Sequence, residues 1–167
     1  LYLYGPTGSG KTSLIKQLAA RLNYPVLEVT GHARLEFADL CGHISLHNGT
    51  MRYEYGPLSL AMRYGGLFLI MKWICSHLRL PWDSTVSGRG SLVPARNGGE
   101  VIHPHEMFRI ACTGNTNGGG DDTGLYQGTG RMNLAWLDRF MLCEVNYPDA
   151  AVEKALLVKL HPALPEH

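Results

Sequence analysis

The sequence predicts an α/β domain of three layers, in which a mostly parallel sheet of five strands lies between helices. Strand-like and helix-like segments alternate along the chain, an order typical of parallel sheets that are covered on both faces. A glycine-rich turn, "GPTGSGKT", separates the first strand from the first helix. The chain has 167 residues, which is enough for one domain with a buried core.

The first half of the chain contains three predicted helices, two strands of the main sheet and one hairpin. The hairpin is centred on Asn48-Gly49, a pair that favours a two-residue turn between antiparallel strands. The third helix ends at Gly65-Gly66, since glycine commonly follows the last turn of a helix. In order, the segments are strand 1–4, helix 11–22, strand 24–30, a short helix within 33–42, hairpin 43–56 and helix 57–64.

The second half supplies the other three strands and the end of the domain. A second hairpin is predicted directly before the fourth strand. The segments are strand 67–70, hairpin 96–109, strand 108–115, helix 132–140 and a last strand that starts at 140. We expect residues 1–148 to form the core domain, cut at its N-terminal edge. Residues 149–167 are expected to begin a helical domain, with Asp149 capping its first helix.

The turn "GPTGSGKT" matches the phosphate-binding pattern G-x-x-x-x-G-K-[ST] between a strand and a helix. Its glycines let the backbone N–H groups point inward at an anion, and the helix that follows adds its positive end. Lys11 is expected to contact the β- and γ-phosphates of ATP, and the hydroxyl of Thr12 to ligate Mg²⁺. A glycine-rich turn that matches by chance is the alternative. The predicted nucleotide-binding residues are Gly5, Pro6, Thr7, Gly8, Ser9, Gly10, Lys11 and Thr12.

Two further segments carry a resemblance to a known family. They are "ACTGNTNGGGDDTGLYQGTGRMNLAWLDRF" and "ADLCGH…NGTMRYEYGPLSLAMRYGG". With the phosphate loop, they resemble the AAA+ ATPases of the MoxR and metal-chelatase group, most closely those that serve aerobic cobaltochelatase as its small ATPase subunit. The resemblance implies an αβα sandwich of the P-loop NTPase type, with one hairpin inserted at helix 2 and another before the sensor strand. The helical lid of the family would lie outside this chain.

The resemblance also implies two catalytic residues. Asn115 matches the polar sensor that positions the attacking water, and Arg139 in "LDRF" matches the arginine finger that acts on a neighbour's nucleotide. A guanidinium suits this task because it is always charged and meets phosphate oxygens bidentately. From the residues alone, Asn115 could instead cap a turn and Arg139 could pair with Asp138. The finger implies a homo-oligomeric ring, typically a hexamer, that hydrolyses ATP to remodel a partner.

Partners and compartment follow from the resemblance and the composition. The chelatase resemblance implies a partner with a metal-binding domain of the von Willebrand type, and metal insertion into a corrin as the nearest named activity. The net charge of +1 and the scattered arginines of the hairpins disfavour a nucleic-acid motor. The four cysteines are widely separated, as is typical of free thiols in a reducing compartment. No apolar run is long enough to span a bilayer, and a secretion signal is not expected. A cytoplasmic protein without a membrane partner is expected.

The third strand departs from the family pattern. Relatives end this strand with an acidic pair that holds Mg²⁺ and polarises the attacking water, but here the strand runs into Met71-Lys72-Trp73. Taken literally, the chain would bind ATP and hydrolyse it poorly.

A frame error offers a second interpretation of this strand end. Met and Trp have one codon each, so "MKWI" fixes most of its own bases. Read from the third base of the Met71 codon, those bases encode Glu, then Met or Val, then Asp. We therefore interpret the segment from 71 to about 90 as out of frame, with the acidic motif Asn-Glu-Met-Asp one base away. A divergent loop with a chance codon overlap is the alternative.

Overall fold

The computed structural model describes residues 1–32, 34–73, 100–120, 131–132 and 134–160, without the side chains of residues 135 and 136. Five of the seven strands form one sheet, and the other two form a hairpin. The elements are β1 Tyr2–Tyr4, α1 Lys11–Arg21, β2 Val26–Thr30, α2 Phe37–Cys41, β3 Gly42–His47, β4 Thr50–Tyr55, α3 Pro57–Tyr64, β5 Gly66–Met71, β6 Phe108–Gly114, α4 Leu134–Leu137, β7 Leu142–Glu144 and α5 Ala150–Leu160.

The main sheet has the strand order β2-β5-β6-β1-β7. Every neighbouring pair is parallel, with Tyr4 opposite Gly114 on one side and opposite Glu144 on the other. The predicted five-stranded parallel sheet is therefore confirmed. Because all the strands point the same way, their carboxyl ends meet at one edge, and β1 lies between β6 and β7 at that edge.

Helices cover both faces of the sheet. Alternate residues of β5 point to opposite sides, so that Phe68 and Ile70 join a core with α2 and α3, whereas Leu69 joins Ile15 of α1. Phe68, Leu69 and Ile70 are fully buried. Strands buried on both faces need apolar residues at every position, and "LFLI" provides them. The three predicted layers are present.

The predicted hairpin at Asn48-Gly49 is confirmed as β3 and β4, which pair from Gly42 opposite Tyr55 to His47 opposite Thr50. Asn48 and Gly49 both have positive φ, 48° and 78°, the conformation that suits a tight two-residue turn between twisted strands. Of the second hairpin, residues 96–99 lie outside the described part. Its remainder makes an isolated bridge at Ile102 before β6 begins.

Two predicted boundaries differ from the structure. The second strand begins at Val26 and not at Tyr24, because the N–H of Tyr24 bonds the carbonyl of Ala19 and closes the end of α1. The last strand is only Leu142–Glu144, and α5 follows after Asp149, whose carbonyl accepts bonds from the first turn. Of the segment interpreted as out of frame, only residues 71–73 belong to the described part of the chain.

Candidate functional site

The phosphate loop, residues 5–12, connects β1 to α1 at the carboxyl edge of the sheet. Gly10 precedes α1 with φ of 85° and ψ of 9°, a left-handed conformation that costs glycine little, and its carbonyl accepts the N–H of Leu14 at 2.8 Å. No acidic residue lies in the first turn of α1, so its N–H groups face the loop without a competing carboxylate. The sequence thus folds into a turn whose backbone donors are suited to an anion.

Gly5 stands where β7 passes closest to the loop. A Cβ on Gly5 would lie 2.2 Å from the carbonyl oxygen of Val145, directly after β7. The N–H of Val145 in turn donates to the carbonyl of Tyr4 at 2.8 Å. The start of the loop is therefore clamped against the sheet, and only glycine fits there.

Lys11 is buried at 8% exposure, and its ammonium group lies inside the loop. Its Nζ donates to the carbonyls of Gly5 at 2.9 Å and Pro6 at 2.6 Å, and reaches Oγ of Ser9 at 3.3 Å. These bonds hold the ammonium group against the backbone of the loop, where a phosphate is expected to lie. The geometry suits the expected contact with a polyphosphate.

A pocket of about 310 Å³ opens beside the loop, within the size range of small-molecule sites. It brings together loop residues with residues at the carboxyl ends of the central strands β5 and β6. Its lining consists of Thr7, Gly8, Gly10, Lys11, Thr12, Ser13, Lys72, Thr113, Gly114 and Asn115. Five predicted nucleotide-binding residues and the predicted sensor Asn115 therefore meet in one cavity.

The buried phenol of Tyr2 holds the segment that carries Asn115. Tyr2 is 1% exposed, and its hydroxyl donates to the carbonyl of Thr116 at 2.8 Å. Burial, followed by the nearby thiol of Cys112, raises the pKa of Tyr2 well above its usual range, so that the phenol remains a donor. Asn115 is thus tethered on both sides, by β6 before it and by this bond after it.

Arg139 lies away from the pocket. It follows α4, is exposed, and precedes the buried Phe140, whose N–H bonds the carbonyl of Leu137. The structure therefore brings Asn115 to the phosphate loop of its own chain and does not bring Arg139 there. The predicted roles of both residues stay predictions.

Sequence reasoning missed two residues at the site, Thr113 and Tyr147. Thr113 is 3% exposed inside β6, and its Oγ1 accepts the backbone N–H of Lys72 at 3.2 Å. Tyr147 donates from its phenol to the carbonyl of Thr7 at 2.6 Å. The acidic motif expected at the end of β5 did point to the position of Lys72, but not to its place in the pocket lining.

The described lining does not fit a resident magnesium ion. Mg²⁺ prefers carboxylate and phosphate oxygens, but this lining offers hydroxyls, one side-chain amide and backbone atoms, together with two lysines. Over the described ranges, no group of three or more histidine, cysteine, aspartate or glutamate side chains could hold a metal ion. Thr12 does line the pocket, but none of the described lining residues supplies a carboxylate.

Comparisons with known proteins identify the family of this chain. Residues 1–76 match the family model of the AAA domain (dynein-related subfamily). The aerobic cobaltochelatase subunit CobS of Sinorhizobium sp. is 32% identical over 160 residues, which cover 86% of this chain and 45% of that protein. Protein CbbQ of Hydrogenophilus thermoluteolus is 26% identical over 163 residues, 94% of this chain and 57% of that protein. The chain thus spans about half the length of these relatives.

A solved structure shares the fold. The crystal structure of a candidate ATPase from Cytophaga hutchinsonii superposes with a TM-score of 0.65 at 19% identity, covering 97% of this chain and 46% of that one. None of the helices in the described residues has the length and apolar character of a membrane span. From the family match and the relatives, the chain belongs to the AAA+ ATPases, within the MoxR-like group that includes CobS and CbbQ.

Proposed function

We propose that this chain is the nucleotide-binding module of an ATPase that works as a homo-oligomeric ring and remodels a partner protein. The observation that carries the proposal is the pocket in which Lys11, Thr12 and Asn115 meet beside the phosphate loop. The ammonium of Lys11, the loop amides and the start of α1 supply positive charge and donors for a triphosphate. Asn115 contributes an amide at the place where the terminal phosphate would lie.

The position of Arg139 supports a ring. The residue is exposed after α4 and does not line the pocket of its own chain. An arginine finger supplied by a neighbouring subunit has to be placed in this way, because its target is the nucleotide of another chain. We propose that Arg139 completes the site of the next subunit, with six subunits as the expected number.

The remodelled partner is proposed from the relatives. CobS is a subunit of aerobic cobaltochelatase, and it is 32% identical to this chain. A chelatase-like role, with a partner that carries a metal-binding domain of the von Willebrand type, is the most specific form of the proposal. We propose a cytoplasmic location for the protein in this role.

Nucleotide binding is tested by calorimetric titration of the chain with ATP. Lys11→Met removes the ammonium group from the loop while keeping a stem of similar length, and it is expected to abolish measurable binding. Lys16→Met is the matched control, since Lys16 lies on the same helix and pairs with Glu28 on the surface. If Lys11→Met binds ATP as tightly as the wild type, the proposed site is wrong.

The role of Arg139 is tested by mixing two inactive variants of the complete protein. A Lys11→Met subunit still offers Arg139, and an Arg139→Ala subunit still offers the phosphate loop. A ring with a finger in trans regains ATP hydrolysis on mixing, because some interfaces combine both intact parts. The parent protein of both variants has to be a version that hydrolyses ATP, either as written or with the acidic strand end restored. If the mixture then stays as inactive as each variant, Arg139 does not act across the interface.

A second candidate function is a subunit that binds nucleotide without hydrolysing it. The presence of Lys72 in the pocket lining, where relatives would have a carboxylate, favours it. ATP turnover should be compared between the complete protein as written and a version carrying Met71→Asn, Lys72→Glu, Trp73→Met and Ile74→Asp. A gain of hydrolysis supports the frame-error interpretation, and no gain supports the inactive subunit. Independent DNA reads encoding "MKWICSHLRLPW" in one uninterrupted frame would also rule out the frame error.

A further inference from the structure

Lys72 occupies a fixed place at the carboxyl edge of the sheet. It directly follows β5, and its backbone N–H donates to Oγ1 of Thr113 on the neighbouring strand β6 at 3.2 Å. The N–H of Trp73 donates to the carbonyl of the same threonine at 2.7 Å, and the Trp73 side chain is buried at 6% exposure. Two consecutive bonds to one residue of β6 therefore anchor the backbone that carries the lysine.

The other side of this strand end is anchored as well. The N–H of Gly31, after β2, donates to the carbonyl of Met71 at 2.7 Å. Lys72 itself has a φ of 52°, a left-handed conformation that is uncommon outside glycine, asparagine and aspartate. Bonds from both neighbouring strands over-determine this conformation, which explains why the chain maintains it. The lysine is held at the pocket by its backbone.

The pocket therefore contains two lysines and no carboxylate among its described lining residues. Lys11 is buried and bonded to the loop, whereas Lys72 is exposed and lines the same pocket together with Thr113 and Asn115. A second lysine in the lining raises the positive potential of a pocket in which a metal ion would otherwise neutralise phosphate charge. Two cations placed close together repel, so Lys72 and Mg²⁺ compete for the same phosphate oxygens.

Building on the proposed nucleotide site, and on the interpretation in which residues 71–73 are in frame as written, we propose that Lys72 makes the pocket selective for nucleoside triphosphates that are free of metal. The ammonium group replaces the divalent ion as the counter-charge of the terminal phosphates. Mg²⁺ removes part of the negative charge of ATP, so its complex gains less from the two lysines than free ATP does. ATP in EDTA therefore binds at least as tightly as ATP with Mg²⁺, the reverse of what an acidic strand end would produce.

Calorimetric titration of the complete chain with ATP, once in EDTA and once in excess Mg²⁺, tests this inference. The wild type is expected to bind ATP in EDTA with equal or higher affinity than in Mg²⁺. Lys72→Met should weaken binding in EDTA about tenfold while changing binding in Mg²⁺ much less. Lys72→Arg keeps the charge and should retain tight binding in EDTA. Lys16→Met removes a charge outside the pocket and should leave both affinities unchanged.

The outcomes separate this inference from the proposed function. A wild type that binds ATP about tenfold more tightly in Mg²⁺ than in EDTA overturns the role of Lys72 and leaves the nucleotide site intact. The same holds if Lys72→Met and Lys72→Arg respond alike in EDTA, because a charge effect requires them to differ. Absence of ATP binding in both buffers, or full binding by Lys11→Met, overturns the nucleotide site itself. Thermal unfolding of each variant identifies any change that comes from misfolding.

Discussion

Tyr147 and Thr7 are 140 residues apart in sequence, and the phenol of Tyr147 donates a hydrogen bond of 2.6 Å to the Thr7 carbonyl. Tyr147 lies between β7 and α5, so this bond connects the segment leading to the last helix with the phosphate loop. It fixes one backbone oxygen of the loop from outside the pocket. Any movement of that segment is thereby communicated to the residues proposed to bind phosphate.

Tyr147→Phe is expected to lower the free energy of unfolding by about 1 kcal/mol, since the hydrogen bond from the phenol to the Thr7 carbonyl is lost. ATP affinity should also fall modestly, because the loop becomes less ordered. Denaturant unfolding and calorimetric titration measure the two effects. Tyr64→Phe is a suitable control, because Tyr64 is similarly exposed on α3 and lies away from the loop. Equal effects of the two substitutions would contradict a specific role of the Tyr147 bond.

Gly5→Ala is expected to destabilise the fold strongly. The added Cβ would lie 2.2 Å from the Val145 carbonyl oxygen, and this backbone atom cannot move without disturbing β7. Gly49→Ala provides the comparison, because Gly49 also has positive φ but has no atom within 4 Å of its added Cβ. Strain alone should cost about 1 kcal/mol at Gly49, and the collision should add at least about 2 kcal/mol at Gly5. Urea unfolding of both variants measures the difference in the free energy of unfolding. Similar losses of stability would show that the backbone at Val145 can shift away from the added Cβ without destabilising the fold.

Thr113→Val tests the anchor of Lys72. Valine has nearly the same shape as threonine but lacks the oxygen that accepts the Lys72 N–H, so this donor loses its partner. The expected loss is about 1–2 kcal/mol in the free energy of unfolding. Thr113→Ser keeps the hydroxyl and should cost less, apart from the methyl group that it removes. A serine variant less stable than the valine variant would show that packing, and not the bond, decides this position.

Alkylation with iodoacetamide should distinguish the described cysteines. Burial raises the pKa of Cys41 and of Cys112 to about 12, so both remain protonated and inaccessible near neutral pH. Cys143 is exposed on β7. Peptide mapping of the native protein is expected to find Cys143 modified and the other two intact, and unfolding in guanidinium should expose all three. Rapid native labelling of Cys112 would contradict the buried position of β6.

The regular elements could be predicted because each has a local cause. The pattern of the phosphate loop marks the turn between β1 and α1, Asn48-Gly49 marks the turn of the hairpin, and an unbroken apolar run marks β5. The start of β2 could not be placed from pattern alone, since Tyr24 is as suitable for a strand as Val26. The bond of Tyr24 to Ala19 at the end of α1 decides it, and this bond depends on how the helix ends.

The candidate site was predictable where a motif or a resemblance named the residue. Lys11 and Asn115 were found in this way, and the structure places them in the same pocket. Thr113 gave no signal, because one hydroxyl within an apolar strand is indistinguishable from an ordinary core position until the register with β5 is known. Tyr147 gave none either, since its contact with Thr7 depends on the whole fold and not on local sequence.

The bonds of Lys11 to the carbonyls of Gly5 and Pro6 have a consequence for exchange kinetics. A loop that is held by the side chain of its own lysine keeps its curvature without a bound ligand. In the proposed site, binding and release of a nucleotide would then require only that Lys11 exchange its hydrogen-bond partners. The backbone of the loop would not have to refold. In the proposed nucleotide site, Lys11 would keep the loop in shape between the release of one ligand and the binding of the next.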